Sequence, residues 1–308
     1  MFFRLVFMLF AGGILLVFWA EISLLVRAWL KRGKGGWQSL VNRYAVLVHV
    51  VFLVTAGCLV WGYWVEPYWL DVSEVRVKAG ELADSSLRVV HFSDLHCDPV
   101  ERCEEELVAA VNAADADIVV FTGDMLNPAA GDVGHAEAEE LFRRTMGAIE
   151  AKAGKFAVSG NWEWRNDAEG LLEGTGFVLL DGERQMIEKD GAEVCVTGLG
   201  YGDRPGSVEV AEGAYNILLY HTPDLVESVE GFDLYLCGHT HGGQVALPWY
   251  GALITFSEFG KKYEAGRYEV GGMDVYVSRG IGMEGGGAPR VRFCARPEVT
   301  VFEIGGGV

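Results

Sequence analysis

Phe232-Asp233-Leu234-Tyr235-Leu236-Cys237-Gly238-His239-Thr240-His241-Gly242-Gly243-Gln244 joins a short apolar, β-rich run to two histidines one residue apart, framed by glycines. A strand that ends on glycine can turn sharply and pass close to a ligand, so both imidazoles can be aimed into one cleft. A His-x-His pair alone is a weak signal, because two surface histidines often do nothing. Its weight comes from four more strand-like runs that end in residues of the same kind. Leu87 to Phe92 runs into Ser93-Asp94-Leu95-His96, Asp117 to Thr122 into Gly123-Asp124, Lys155 to Ser159 into Gly160-Asn161, and Tyr215 to Tyr220 into His221.

Between these runs the periodicity changes to that of helices, over Glu104 to Ala113 and Ala136 to Ala151. Val72 to Val77 and Phe177 to Leu180 read as strands. Gln185 to Lys189 and Glu193 to Leu199 read as a hairpin turning at Asp190-Gly191. From Tyr263 to Ile304 the chain is a series of β runs with turns at Gly271-Gly272 and Gly285-Gly286-Gly287. Alternating helices and strands that give way to hairpins predict a layered α/β domain on mixed sheets. In such folds ligands collect at the carboxyl ends of strands, where every fragment above ends.

The residues gathered there are Asp94, His96, Asp124, Asn161, His221, His239 and His241, and they include four of the seven histidines. Carboxylate oxygen, amide oxygen and imidazole nitrogen together suit a hard-to-borderline divalent cation. Seven donors exceed the needs of one ion, and one shared carboxylate would give four contacts to each of two. Two ions ~3.5–4 Å apart, bridged by a carboxylate and a hydroxide, clamp phosphoryl oxygens and supply a nucleophile at neutral pH. The set points to a metal-dependent hydrolase.

In order and spacing, Asp-x-His at 94–96, Gly-Asp at 123–124, Gly-Asn at 160–161, His221 and Gly-His-x-His at 238–241 resemble the calcineurin-like metallophosphoesterase family. The resemblance covers residues 86–305. The continuations Gly242-Gly243-Gln244 and Ser278-Arg279-Gly280-Ile281-Gly282 look like its bacterial membrane-associated branch, which includes UDP-2,3-diacylglucosamine pyrophosphatases and related phosphodiesterases. It implies a four-layer fold, two mixed β-sheets sandwiched between helices. It further implies two divalent ions (Mn, Fe or Zn), one on Asp94, His96, Asp124 and His241, the other on Asp124, Asn161, His221 and His239. Asp124 would then hold the bridging hydroxide that attacks phosphorus, with His221 and His239 assisting through their ion. Some members of the fold have lost metal ligands and serve as interaction scaffolds, but here all seven positions are filled.

One position departs from the family. Its third motif usually continues with a histidine that protonates the leaving oxygen, whereas this chain reads Gly160-Asn161-Trp162-Glu163. An indole donates no proton in acid catalysis near neutral pH. Either Glu163 or another residue replaces that acid, or the substrate has a leaving group that departs without a proton, as in a pyrophosphate. Trp162 and Trp164 could stack a base, receive a lipid chain or simply pack the wall of the site. Arg279 could contact a phosphate or form a salt bridge. His91 reads as a core or supporting residue, His135 as solvated, and Cys97, Asp98 and Asn127 flank the ligands.

The front of the chain is of another kind. Leu5 to Leu30 and Tyr44 to Val65 are apolar runs of the length a membrane-crossing helix needs. Trp19, Trp29, Trp37, Trp61, Tyr63, Trp64 and Tyr68 are placed like interfacial belts. No small-x-small cleavage site follows the first run. An uncleaved two-helix anchor over 1–66 and a metallophosphoesterase domain over 67–308 are expected, with an inner-membrane location and a lipid-like or phosphorylated small-molecule substrate. Arg27, Lys31, Arg32, Lys34 and Arg43 between the runs favour a cytoplasmic loop, which puts the domain on the outer side. Six scattered cysteines without a CxxC pair lean the other way, towards a reducing compartment. Residues 65–308 carry 19 basic and 42 acidic side chains, a formal charge of −23, so nucleic acid is no expected partner.

Overall fold

The computed structural model describes residues 2–32, 35–82, 85–128, 131–163, 167–207, 209–285 and 290–307. Of the positions singled out above, Lys34, Trp164 and the Gly286-Gly287 part of the last glycine turn lie outside the described residues. The chain divides into two compact units, residues 1–65 and 66–308.

The first unit is a helical hairpin of α1 (Phe2–Leu30) and α2 (Arg43–Val60). Asn42 caps α2, its side-chain oxygen accepting from the Tyr44 and Ala45 amides. Phe18 and Phe52 meet edge-to-face at 4.9 Å, and His49 Nδ1 lies 2.7 Å from the Glu21 carboxylate. The segments Met8–Leu30 and Arg43–Tyr68 are long and apolar enough, by length and composition, to cross a membrane.

The second unit carries two six-stranded mixed sheets. The first contains β1 (Asp71–Lys78), β2 (Ser86–Phe92), β3 (Ile118–Phe121), β4 (Gly154–Ala157), β5 (Val178–Leu179) and the last strand of the chain, Glu298–Gly305. This last strand lies between β1 and β2, parallel to the first and antiparallel to the second. The second sheet contains β6 (Arg184–Lys189), β7 (Ala192–Gly198), β8 (Tyr215–Leu219) and β9 (Leu234–Cys237). After a two-stranded hairpin, β10 (Ala246–Leu247) and β11 (Gly251–Ala252), the chain adds β12 (Gly266–Val270) and β13 (Met273–Val277) to that sheet. The last strand is therefore β14.

The short all-apolar strands follow from this layering, since a parallel strand covered on both faces needs apolar residues on both. Val89, Ile118 and Val120 face the core between the sheets, with Val194, Ile217 and Leu236 from the other side. Their neighbours Val90, Val119 and Phe121 face the opposite way and pack with Leu107, Val111, Leu141, Phe142 and Met146. Those side chains come from α3 (Glu104–Ala113) and α4 (His135–Gly147), which with α5 (Ala168–Leu172) cover the first sheet. On the outer face of the second sheet a third cluster, including Leu218, Tyr235, Val275 and Tyr263, is closed by loops and single 3-10 turns at Pro223–Leu225 and Gly260–Tyr263.

Helix α3 has the predicted bounds, with three glutamates in its first turn against the positive end of the helix. α4 ends at Gly147, four residues before the periodicity fades. There the Lys152 and Ala153 amides are taken by the Ala116 and Asp117 carbonyls, which turn the chain into β4. The β6–β7 hairpin turns at Asp190 (φ 52°) and Gly191 (φ 85°), the left-handed pair that an Asp-Gly dipeptide favours.

Candidate metal centre

The loops after β2, β3, β4, β8 and β9 converge, and all seven predicted donors are brought together. Ligand atoms of Asp94, His96 and His241 lie within 4.8 Å of one another, as do those of Asp124, His221 and His239. The two groups meet on one atom. Asp124 Oδ2 is 3.3 Å from His96 Nε2 and 3.3 Å from His221 Nε2. His241 Nε2 is 3.2 Å from His96 Nε2 and 3.4 Å from Asp94 Oδ1. Asn161 Oδ1 is 2.9 Å from His221 Nε2, and the rings of His221 and His239 are 5.0 Å apart. Five of these side chains are buried, and Asn161 and His239 are half-buried.

The backbone is strained to achieve this. Asp94 (φ 51°), His96 (φ 40°), Asp124 (φ 60°), His239 (φ 68°) and His241 (φ 51°) all adopt left-handed conformations that side chains with a Cβ avoid. Each such residue costs on the order of 1–2 kcal/mol and persists only where its surroundings over-determine it. The surroundings here are dense. Both Asp94 oxygens accept from the His239 amide at 3.0–3.1 Å, and the Ile281 and Gly282 amides pair with the Ser93 and Asp94 carbonyls. A Cβ on Gly238 would stand 2.1 Å from Ser93 Oγ and 2.2 Å from Asp94 Oδ2, so only glycine lets the two loops close.

The charges ask for cations. Burial disfavours the His221 imidazolium, yet the Asp124 carboxylate beside it prevails and its pKa is pushed up to about 10. His96 is raised against burial in the same way, and Asp124 is held well below the carboxylate range despite burial by His221 and His96. Burial and the neighbouring His96 and Arg292 charges keep His241 neutral, and burial with His221 lowers His239. His221 donates from Nδ1 to the Thr122 carbonyl at 2.7 Å, which turns Nε2 towards the acceptor Asn161 Oδ1. Two acceptors 2.9 Å apart require a positive charge between them, whether a proton or a metal ion. The donor set, the neutral His239 and His241 and a Thr122 carbonyl that holds His221 Nδ1 fit divalent-metal ligation.

The other predicted residues fall into two groups. The half-buried Trp162 is at the site, its ring edge-on to His96 at 5.6 Å and its amide donating to Asp124 Oδ1 at 3.0 Å. Glu163 is buried behind it, accepting from the Asp124, Met125 and Gly160 amides, and burial with the Asp124 charge pushes its pKa up to about 7. It ties the β3 and β4 loops together. Arg279 reaches Asp71 Oδ2 at 2.6 Å and Glu298 Oε1 at 3.2 Å, the salt-bridge alternative. His91 is in the core, Nε2 at 2.9 Å from Thr122 Oγ1. His135 is half-buried and faces Glu139 at 3.7 Å.

Three residues at the site carried no sequence signal. Arg292 is fully buried, donates to the carbonyls of Gly282, Arg279, Gly280 and Ala295, and reaches His241 Nδ1 at 3.4 Å. Glu284 is partly buried and its carboxyl is raised, by burial first and with Asp124 and Asp94 adding to it against the opposing His96 charge. Tyr201, in the loop after β7, sets its ring 6.2 Å from His221. None sits in a repeated pattern, and an isolated Arg, Glu or Tyr in a sequence reads as surface.

Comparison with known proteins agrees with this geometry. The calcineurin-like phosphoesterase model matches residues 87–243. The chain is 29% identical over 269 residues to an uncharacterized metallophosphoesterase, YkuE, of Bacillus subtilis (strain 168), an alignment covering 82% of this chain and 91% of that one. It is 25% identical to the phosphodiesterase YaeI of Escherichia coli (strain K12), over 79% of this chain and 91% of that one. It is 24% identical to the UDP-2,3-diacylglucosamine pyrophosphatase LpxG of Chlamydia trachomatis serovar D, over 79% and 92% respectively. The matched region runs from β2 through the His-x-His loop, and the chain belongs to the calcineurin-like phosphoesterase family, a family of metal-dependent phosphoester hydrolases.

Proposed function

We propose that the chain is a membrane-anchored phosphoesterase that hydrolyses phosphodiester or pyrophosphate bonds of a lipid-linked or nucleotide-containing substrate. The observation that carries this reading is the meeting of two donor groups on the single carboxylate of Asp124. Asp94, His96, Asp124 and His241 would hold one divalent ion, and Asp124, Asn161, His221 and His239 a second. When bound, such a pair supplies a nucleophile at neutral pH and neutralises charge on the phosphoryl oxygens. The protein's own share is positional. Thr122 orients His221, Arg292 lies behind His241, and Glu163 fixes the loop that presents Asp124 and Asn161.

The site places an indole, Trp162, where an acid is usual, which suits a leaving group that departs without a proton. That favours a second, narrower reading, a pyrophosphate such as UDP-2,3-diacylglucosamine, the compound named for LpxG. The narrower reading needs the domain in the cytoplasm, whereas the basic residues between the apolar helices favour the outer side.

The test is the detergent-solubilised full chain loaded with Mn²⁺. It would be offered bis(p-nitrophenyl) phosphate, a nitrophenyl monoester, UDP-2,3-diacylglucosamine and a phospholipid, with metal content read by mass spectrometry. Hydrolysis of a diester or the pyrophosphate is expected. Asp124→Asn should lose bound metal together with at least ~10²-fold in rate, since both ions lose their shared carboxylate. Full activity in Asp124→Asn, or no metal in the parent, would sink the reading.

A further inference from the structure

The β10–β11 hairpin stands directly on the metal-centre loop and ends in side chains that the fold leaves in solvent. Its tip is Leu247-Pro248-Trp249-Tyr250. Trp249 is 104% exposed and Tyr250 60%. Phe256, beyond the hairpin, is about half exposed. Trp249 also has φ 63°, a conformation unfavourable for a large side chain, here with no burial to offset it.

The base of the hairpin is fixed. The Ala246 amide donates to the Phe293 carbonyl at 2.8 Å, Leu253 to Val245 at 3.2 Å, and Ala252 to the Glu264 carboxylate at 3.0 Å. Thr240, between the two histidines of the metal centre, donates to the Glu264 carbonyl at 2.8 Å. Lys261 lies 3.7 Å over the Tyr250 ring and donates to the Tyr250 carbonyl. The tip is thus displayed from a braced support continuous with the histidine loop.

Its chemistry narrows the occupant. Residues 244–257 carry no charged side chain, within residues 65–308 whose formal charge is −23, and beyond them Lys261 pairs with Glu264 at 3.4 Å and Lys262 with Glu227. Tryptophan, tyrosine and phenylalanine beside lysine are the side chains that settle at the boundary of hydrocarbon and headgroups. A protein partner of this acidic surface would be recognised by carboxylates, which residues 244–257 lack. An anionic lipid surface is repelled elsewhere but not at this tip.

We infer that the β10–β11 tip is a membrane contact: Trp249, Tyr250 and Phe256 enter the headgroup layer of a bilayer and so hold the histidine loop at the lipid surface. The inference rests on the membrane-anchored reading above. It differs from that reading in giving the catalytic unit a lipid contact of its own.

The test uses the full chain reconstituted in vesicles of phosphatidylethanolamine and phosphatidylglycerol. Cys58 and Cys294 are replaced by serine, and a bimane is attached to Trp249→Cys, Tyr250→Cys or, as an exposed control outside the patch, Val133→Cys. Membrane residence is checked by alkaline wash, which reads the anchor separately. The 249 and 250 probes are expected to shift to the blue and be quenched by headgroup-region nitroxide lipid, and the 133 probe to stay unquenched. If the washed vesicles retain the chain and all three probes behave alike, the hairpin contact is wrong while the anchor stands. Loss of the chain on washing removes the anchor, and with it this inference. Disulfide-linked dimers of the unlabelled Trp249→Cys chain, without lipid quenching of the labelled one, would assign the tip to a second copy and overturn the lipid contact. Replacing Trp249 and Tyr250 together by serine should leave hydrolysis of soluble bis(p-nitrophenyl) phosphate unchanged. It should lower hydrolysis of a phosphodiester lipid in the same vesicles by about tenfold, the effect of losing burial of one large side chain.

Discussion

At the scale of single residues, the chemistry of the site turns on Trp162. Its amide is bound to Asp124 and its ring lies against His96, so a different side chain there would stand beside the candidate metal ligands. Trp162→His is expected to accelerate hydrolysis of alkyl diesters by at least tenfold, towards the ~10²–10⁴ that general acid catalysis typically contributes. Nitrophenyl diesters, whose leaving group needs no proton, should change little. Equal effects on both substrates would show that the missing acid is supplied elsewhere. His91 offers a separate, pH-based test. Burial lowers its pKa from 6.5 to about 3, so the folded state holds it neutral while the unfolded state takes up a proton. Its contribution is complete above pH 6.5 and is lost as pH falls towards 3, at up to roughly 1.4 kcal/mol per pH unit. Denaturation midpoints of the parent should therefore fall more steeply with acid than those of His91→Gln. Matching slopes would remove His91 from the acid limb. The seven donors and the departure at 162 were legible in the sequence because they repeat one pattern at five strand ends. Arg292 and Glu284 were not, since their burial depends on loops remote from them in the chain.

At the scale of elements, the decisive pairing is between the first strand of the domain and the last. β1 and β14 pair in parallel from Asp71 with Glu298 to Lys78 with Gly305. Their junction is held by one buried carboxylate: Glu298 accepts from Ser73 Oγ at 2.6 Å, Tyr276 OH at 2.8 Å and the Arg279 amide at 3.2 Å, and pairs with the Arg279 side chain. This explains why Arg279, which the sequence left open between phosphate and salt bridge, serves structure. Its segment continues into the amides that hold Ser93 and Asp94, so the junction supports the metal centre. Glu298→Gln is expected to destabilise the domain by on the order of 3 kcal/mol, because the Ser73, Tyr276 and Arg279 donors lose a buried charged acceptor. Urea denaturation of the full chain followed by tyrosine and tryptophan emission would measure it, and a change below about 1 kcal/mol would mean the bonds around Glu298 are redundant. Period and turn residues foretold most strands, the Asp190-Gly191 turn and the bounds of α3. They did not foretell α5 or the β10–β11 hairpin, which are too short to show a period.

For the whole molecule, the division lies between an apolar helical hairpin with a basic connection and an acidic hydrolase domain. Loop charge sets orientation when it lies close to the spans. Replacing Arg27, Lys31, Arg32 and Arg43 by glutamate should therefore invert the share of domain protected from protease in sealed membrane vesicles. An unchanged pattern would show that the basic loop does not set the topology.

The sequence by itself determined the family, the layered α/β class and the list of metal donors, because strand periodicity, glycine turns and ligand-type residues are local properties of the chain. It also marked two stretches apolar enough to cross a membrane. Only the tertiary structure decided that Asp124 stands between two histidines of different loops, that five donors adopt left-handed backbone, and that Arg292 is buried behind His241. It alone decided which aromatic side chains face solvent at the β10–β11 tip. These are distances between residues separated by tens to hundreds of positions, fixed by how the two sheets pack and by hydrogen bonds between their loops, and no local pattern encodes them.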